Sequence, residues 1–172
     1  MHHVWRVPST DGVRRKLISW EVIGGKPRPG NGWADQRRRF GLTLFTRVGG
    51  GWSPDVLVRQ PDYVVAPGQG QVKIADVTRD GRADVLLERW PGANHLCGPR
   101  QIFSIDRDGP HVIFARSMCE TYWRVRSSDV DFDQAWYTRK DSMCCPSFRH
   151  RFVLHWDGEK LIRVSSRLVR TR

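Results

Sequence analysis

The chain is built from short runs in which apolar and polar residues alternate, broken by Gly, Pro and Asp-Gly. Alternation with a period of two places successive side chains on opposite faces of a strand. Arg39 to Arg47 alternates in part and stops at Gly49-Gly50-Gly51, and Trp52 to Val58 follows, which predicts a hairpin. Gln71 to Val77 and Ala83 to Glu88 flank an acidic segment. Gln101 to Ile105 and Val112 to Arg116 flank the turn cluster Asp106-Arg107-Asp108-Gly109-Pro110. Thr121 to Arg126 has two distinct faces, and Ala135 to Arg139 is a weaker strand candidate. Phe148 to Trp156 and Lys160 to Val164 flank Asp157-Gly158-Glu159, a second strong hairpin signal. Val13 to Ile23 is an N-terminal strand candidate, and Pro27 to Asp35, with two prolines and two glycines, reads as a loop.

No window of eleven or more residues carries the i, i+3, i+4, i+7 apolar spacing of a helix. The pattern therefore predicts an all-β fold of antiparallel hairpins, laid out as a propeller-blade-like meander or a compact sandwich. The hairpins recur at roughly 30-residue intervals, which suggests a repeated up-and-down unit. We expect residues 1–38 to contribute a strand and the Pro/Gly-rich loop, packed on the core, and residues 39–172 to form a single all-β domain.

The sharpest chemistry lies between two of these strands, at 76–84. Side-chain oxygens fall at Asp76, Thr78, Asp80 and Asp84, with the carbonyl of Arg82 between them. Gly81 sits where the chain has to turn sharply. Calcium takes six to eight oxygen ligands from such a loop. The loop is not an EF-hand, because Leu87 stands at the twelfth position where that motif needs a bidentate Glu, and its flanks are β-like. Thr78 replaces a usual carboxylate, and Arg79 and Arg82 lie inside the loop. The alternative is a hairpin turn whose carboxylates accept backbone N–H bonds with no metal.

The run Ile74-Ala75-Asp76-Val77-Thr78-Arg79-Asp80-Gly81-Arg82-Ala83-Asp84-Val85-Leu86 resembles the FG-GAP/VCBS repeat of integrin-type propellers and bacterial extracellular proteins. The resemblance implies a calcium loop at the tip of a β-hairpin in a blade-like sheet, with Asp76, Thr78, Asp80, Arg82 and Asp84 as ligands. A wider likeness runs through Cys97-Gly98-Pro99-Arg100 and Cys119-Glu120 to Cys144-Cys145-Pro146. It is similar to small, uncharacterised secreted or lipoprotein-type proteins of actinobacteria.

Composition then narrows the options. The 172 residues are 39% hydrophobic and 27% charged, which fits one folded domain with a sizeable core. No apolar run is long enough for a transmembrane helix. The start, Met1-His2-His3-Val4-Trp5-Arg6, lacks the apolar region of a signal peptide. The expectation is that the chain is cytosolic, or that a signal was trimmed or lost. Net charge is +11, and of the 29 basic residues only five are Lys, at 16, 26, 73, 140 and 160. Such a balance suits polyanions, although the Arg residues are scattered. Of the four cysteines, Cys144 and Cys145 are adjacent and ill-suited to bond each other. Cys97 and Cys119 are expected in bridges, either with each other or each with one of the adjacent pair.

Other candidates are weaker. Asp129, Asp131 and Asp133 alternate, so on a strand they share one face and read as a solvated surface. Of the eight Trp residues, Trp52, Trp123 and Trp156 are expected in the core and Trp90 at the surface. A zinc site would need distant partners such as His95, His150 or His155. Cys145 with His150 is a conceivable nucleophile–base pair supported only by proximity in sequence. The expectation is a non-enzymatic, monomeric, extracellular or cell-envelope module, stabilised by calcium, whose partner is a protein or an anionic polymer. The alternative is a basic nucleic-acid- or polyanion-binding protein using surface Arg and Trp.

Overall fold

The computed structural model describes residues 2–24, 37–63, 71–88, 97–142 and 145–171. Twelve antiparallel strands occur there, grouped by chain order into three four-stranded meanders. The first sheet holds β1 (His2–Val7), β2 (Arg15–Gly24), β3 (Arg37–Val48) and β4 (Gly51–Tyr63). The second holds β5 (Gln71–Ala75), β6 (Asp84–Glu88), β7 (Cys97–Ile105) and β8 (Pro110–Cys119). The third holds β9 (Tyr122–Arg126), β10 (Asp129–Trp136), β11 (Phe148–Trp156) and β12 (Leu161–Arg170). The all-β expectation holds, and every pairing joins strands adjacent in sequence. Among the described residues no helix is present.

Two apolar layers separate the sheets, and the period of two explains both. On β6, Val85 and Leu87 point one way and Leu86 the other, and all three are fully buried. Val85 and Leu87, with Phe103 and Ile105 of β7, meet Val7, Leu17, Leu42, Leu44 and Val58 of the first sheet. Leu86, with Ile102 and Met118, meets Trp123, Val130, Phe132, Phe152 and Leu154 of the third. The two inner strands of the second sheet, β6 and β7, are thus covered on both faces while β8 at its edge stays largely exposed, and the first and third sheets each keep one outer face bare of this packing. A strand buried on both sides reads as a continuous apolar run, as Val85-Leu86-Leu87 does.

Four expectations are corrected. First, β1 pairs with β2 throughout its length, with Trp5 opposite Leu17, and adds a strand that the alternation did not mark. Second, the strand placed at Ala135 to Arg139 runs instead over Asp129–Trp136, because its outward carboxylates hid the inward Val130 and Phe132. Third, Trp52 is not in the core but 38% exposed. A bulge opposite Leu42 and Thr43 inverts the phase of β4, so Val58 faces in while Trp52 and Val56 face out. The Trp52 ring there lies under the Lys16 ammonium at 4.6 Å and the Arg47 guanidinium at 5.5 Å from its centroid. Fourth, the second strand of the last hairpin runs on to Arg170 instead of stopping at Val164. Trp123 is buried as expected and Trp156 is half-buried. The loop at Pro27 to Asp35, Trp33, Trp90, His95 and Cys144 fall outside the described residues.

Cys97 and Cys119 are bonded to each other. They stand directly opposite in the β7–β8 register, closing the open end of that hairpin. Reduction is expected to lower the stability by about 2 kcal/mol, at the low end for a disulfide because the flanking strands already pair. Urea melts with and without dithiothreitol measure this, and identical midpoints would show that the bridge contributes nothing.

Candidate functional site: the loop between β5 and β6

The acidic segment forms the connection from β5 to β6, at the end of the hairpin in which Ala75 pairs with Asp84. Three of its carboxylates close local rings, and each does so differently. Asp84 is completely buried. One of its oxygens accepts the N–H of Val77 at 2.7 Å and of Thr78 at 3.0 Å, and the Thr78 hydroxyl lies 3.3 Å away. Burial raises its pKa to about 6, and the hydrogen bonds from Thr78, Val77 and the Ser104 side chain limit the rise. Asp76 accepts the N–H of Gly81 through Oδ2 at 3.0 Å. Its Oδ1 is buried and has no hydrogen-bond partner. Asp80 accepts the N–H of Arg82 at 2.8 Å, and its other oxygen is ion-paired with the Arg82 guanidinium.

The backbone needs two left-handed residues to make the turn, Arg79 at φ 59° and Gly81 at φ 80°. Glycine is required at the second. A Cβ on Gly81 would lie 2.3 Å from the Thr10 hydroxyl, as well as being strained by the positive φ. That close approach exists because the loop is docked on the turn between β1 and β2. Thr10 N–H donates to the Gly81 carbonyl at 2.9 Å, Ala83 N–H donates to the Pro8 carbonyl at 3.1 Å, and Ser9 bridges to Arg82. The loop is therefore a clasp between the first and second sheets. The turn it grips is itself stiffened, with the Arg15 guanidinium on Asp11 and on the Ser9 hydroxyl.

The five residues singled out from sequence are thus brought together in one turn, with a division of labour that spacing did not show. Arg82 does not reach for solvent. It folds across the loop, with Nε donating to the Ile105 carbonyl at 2.8 Å and its guanidinium on Asp80. Among the described residues, no group of three or more His, Cys, Asp or Glu side chains is gathered as a metal cage. The donor set nonetheless has one oxygen with the wrong environment for a metal-free turn, the orphaned Oδ1 of Asp76. A cation beside it has Asp80 within the same turn, held at present by Arg82. Pro8, Thr10 and Ser104 were missed in the sequence because they reach the loop only through tertiary pairing.

The other candidates fall elsewhere. Asp129, Asp131 and Asp133 share the outer face of β10, as alternation required, and basic side chains of neighbouring strands meet each of them. Asp131 pairs with Arg126 at 2.9 Å, Asp133 with Arg151 at 2.8 Å and also with Arg149, and Asp129 contacts His155 Nδ1 at 2.6 Å. His150 hydrogen-bonds the Ser166 hydroxyl at 2.8 Å. No described helix is long and apolar enough to cross a membrane. Compared with protein-family models, with curated proteins and with solved structures, the chain matches none of them.

Proposed function

We propose that the chain is a non-enzymatic β module of the cell exterior or envelope, whose clasp between sheets is stabilised by calcium. The observation that carries this reading is the buried, unpartnered Oδ1 of Asp76 at the head of a loop with calcium-type spacing. A desolvated carboxylate oxygen without a donor is costly, and a cation removes that cost. The residues that would hold it are Asp76, Thr78, Asp80, Asp84 and the carbonyl of Arg82, and its contribution is charge neutralisation inside the turn. Two further features support a binding or structural role over catalysis. Two of the three carboxylates of β10, Asp131 and Asp133, are engaged by Arg side chains, which withdraws them from proton transfer. The loop spends its groups on gripping Pro8 and Thr10.

The test is thermal melting with added calcium. At an affinity near 10⁻³ M, 10 mM calcium adds about 1.4 kcal/mol, a rise of roughly 3–6 °C. The rise should vanish in Asp76→Asn and persist in Asp108→Asn, a carboxylate in another turn. A melting temperature that calcium leaves unchanged in the wild type removes the metal from this reading.

A further inference from the structure

The outer face of the third sheet carries chemistry that the calcium loop does not use. Its register lines up three rows across the strands. One row is Tyr122, Asp133, Arg151 and Arg167, the next is Arg124, Asp131, Val153 and Ser165, and the third begins Arg126, Asp129, His155. This face and the adjoining edge of β5 line an open cavity of about 1490 Å³. Five cations reach it, Lys73, Arg124, Arg126, Arg151 and Arg167, against two carboxylates, Asp131 and Asp133. Both carboxylates are committed to Arg126, Arg149 and Arg151. Arg124 and Arg167 have no ion pair among the described residues, and both are exposed. Arg151 and Arg167 stand directly opposite each other, a like-charge pairing that costs stability in a sheet. A surface that keeps such a pair open to solvent is matched to an anion.

The aromatic on this face decides which anion. Tyr122 is 73% exposed, the most exposed large apolar side chain described. The Arg149 guanidinium lies 5.3 Å from its ring centroid and leaves the rest of the ring open to solvent. An open ring beside a row of cations is the arrangement that stacks an unpaired base while phosphates follow the charges. Duplex DNA presents no unpaired base, and a sulfated or uronic polysaccharide offers only the C–H face of a sugar ring, a weaker match to an open ring than a base. Arg124 and Arg167 sit three strands and one row apart, about 16 Å, so an extended strand crossing the sheet meets both.

We propose that the outer face of the third sheet binds single-stranded nucleic acid, with Arg124 and Arg167 on the phosphates and Tyr122 stacked on a base. The site is independent of the calcium loop, so either reading can fail without the other.

The experiment is fluorescence anisotropy with a labelled oligothymidylate, repeated over a range of salt and in the presence of EDTA. Wild type is expected to bind saturably, with affinity falling as salt rises. Arg124→Glu with Arg167→Glu should weaken binding at least tenfold and flatten the log–log salt slope by about 1.4, two phosphate contacts on a single strand. Tyr122→Ala should weaken it about tenfold with the salt slope unchanged. Arg6→Glu in β1 with Arg14→Glu in the turn before β2 makes the same charge change at exposed positions away from this face and should leave binding near wild type. Thermal melts of all the variants confirm folding, since these side chains are exposed. The proposal is overturned by no binding, by equal loss in the Arg6/Arg14 variant, by Tyr122→Ala binding as wild type, or by a heparin chain competing at the same charge concentration as well as oligothymidylate.

Discussion

Phe132→Ala is expected to lower stability by about 3–5 kcal/mol, the cost of deleting a fully buried aromatic side chain. Phe132 is only 2% exposed and sits at the centre of the layer between the second and third sheets. Its ring is stacked on Phe152 of β11 with centroids 4.9 Å apart. It meets Trp123 of β9 at 5.7 Å and Phe114 of β8 at 5.3 Å. Two of these partners are its cross-strand neighbours in the register, and the third reaches over from the second sheet. The substitution therefore opens a cavity whose walls belong to two sheets held by separate hydrogen-bond ladders, which limits collapse around it. Urea denaturation should show a midpoint well below wild type with the m-value kept, and melting lowered by about 10 °C or more. Phe132→Leu, which retains most of the volume, should cost less than half as much. A loss below about 1 kcal/mol for the alanine variant would mean that the sheets are not joined through this cluster.

That layer shows how much of the molecule the chain declares locally. The turns of the strong hairpins were legible, at Gly49-Gly50-Gly51, at Asp108-Gly109 and at Asp157-Gly158, because a glycine supplies the positive φ each turn needs, although their strands run on several residues past the expected ends. What failed depended on residues far away in sequence. β10 was misplaced because Asp129, Asp131 and Asp133 make it look solvated, whereas their partners Arg126, Arg149, Arg151 and His155 come from β11 and from the end of β9. Trp52 was assigned to the core because a bulge cannot be read from alternation, yet one extra residue exchanges the faces of a strand. Cysteine spacing left the bridge open between two pairings, and only the β7–β8 register sets Cys97 opposite Cys119. At the candidate site the loop itself was plain, since Asp76, Asp80 and Asp84 act within nine residues of one another. Its grip on Pro8 and Thr10 was not, because no local pattern announces a contact spanning some seventy residues. The acidic segment proved to be less an isolated tip than the clasp between two sheets.

The second large effect follows from the deepest group in that clasp. Asp84 is fully buried and titrates near 6, raised from 3.8 by desolvation. The sign is the reverse of the usual carboxylate case. A raised folded pKa means that the native state binds the proton more tightly than the unfolded chain does. The contribution of Asp84 is therefore greatest below pH 4, declines as pH rises from about 4 to 6, and is flat beyond. Two pKa units correspond to about 3 kcal/mol over that window. Asp11 and Asp141 act in a different window. Both are held below the usual range, Asp11 by its hydrogen bond from Arg15 and Asp141 by those from Ser147, so their contribution is lost as pH falls below about 4. Urea melts at pH 4.5, 5.5 and 6.5 should accordingly show wild type losing stability as pH rises. Asp84→Asn keeps one acceptor for the Val77 and Thr78 N–H groups and removes this titration, so its stability should fall less than that of wild type across the same range, the remaining decline coming from Glu88, which burial also raises. Asp84→Ala removes the acceptor as well, strands both N–H groups in the core, and should be the less stable variant at every pH by about 2–4 kcal/mol. Parallel pH profiles for wild type and Asp84→Asn would show that folding does not raise the pKa of this carboxylate, which is then charged throughout this range. The clasp would then hold a buried anion across this range, the state in which a compensating cation contributes most.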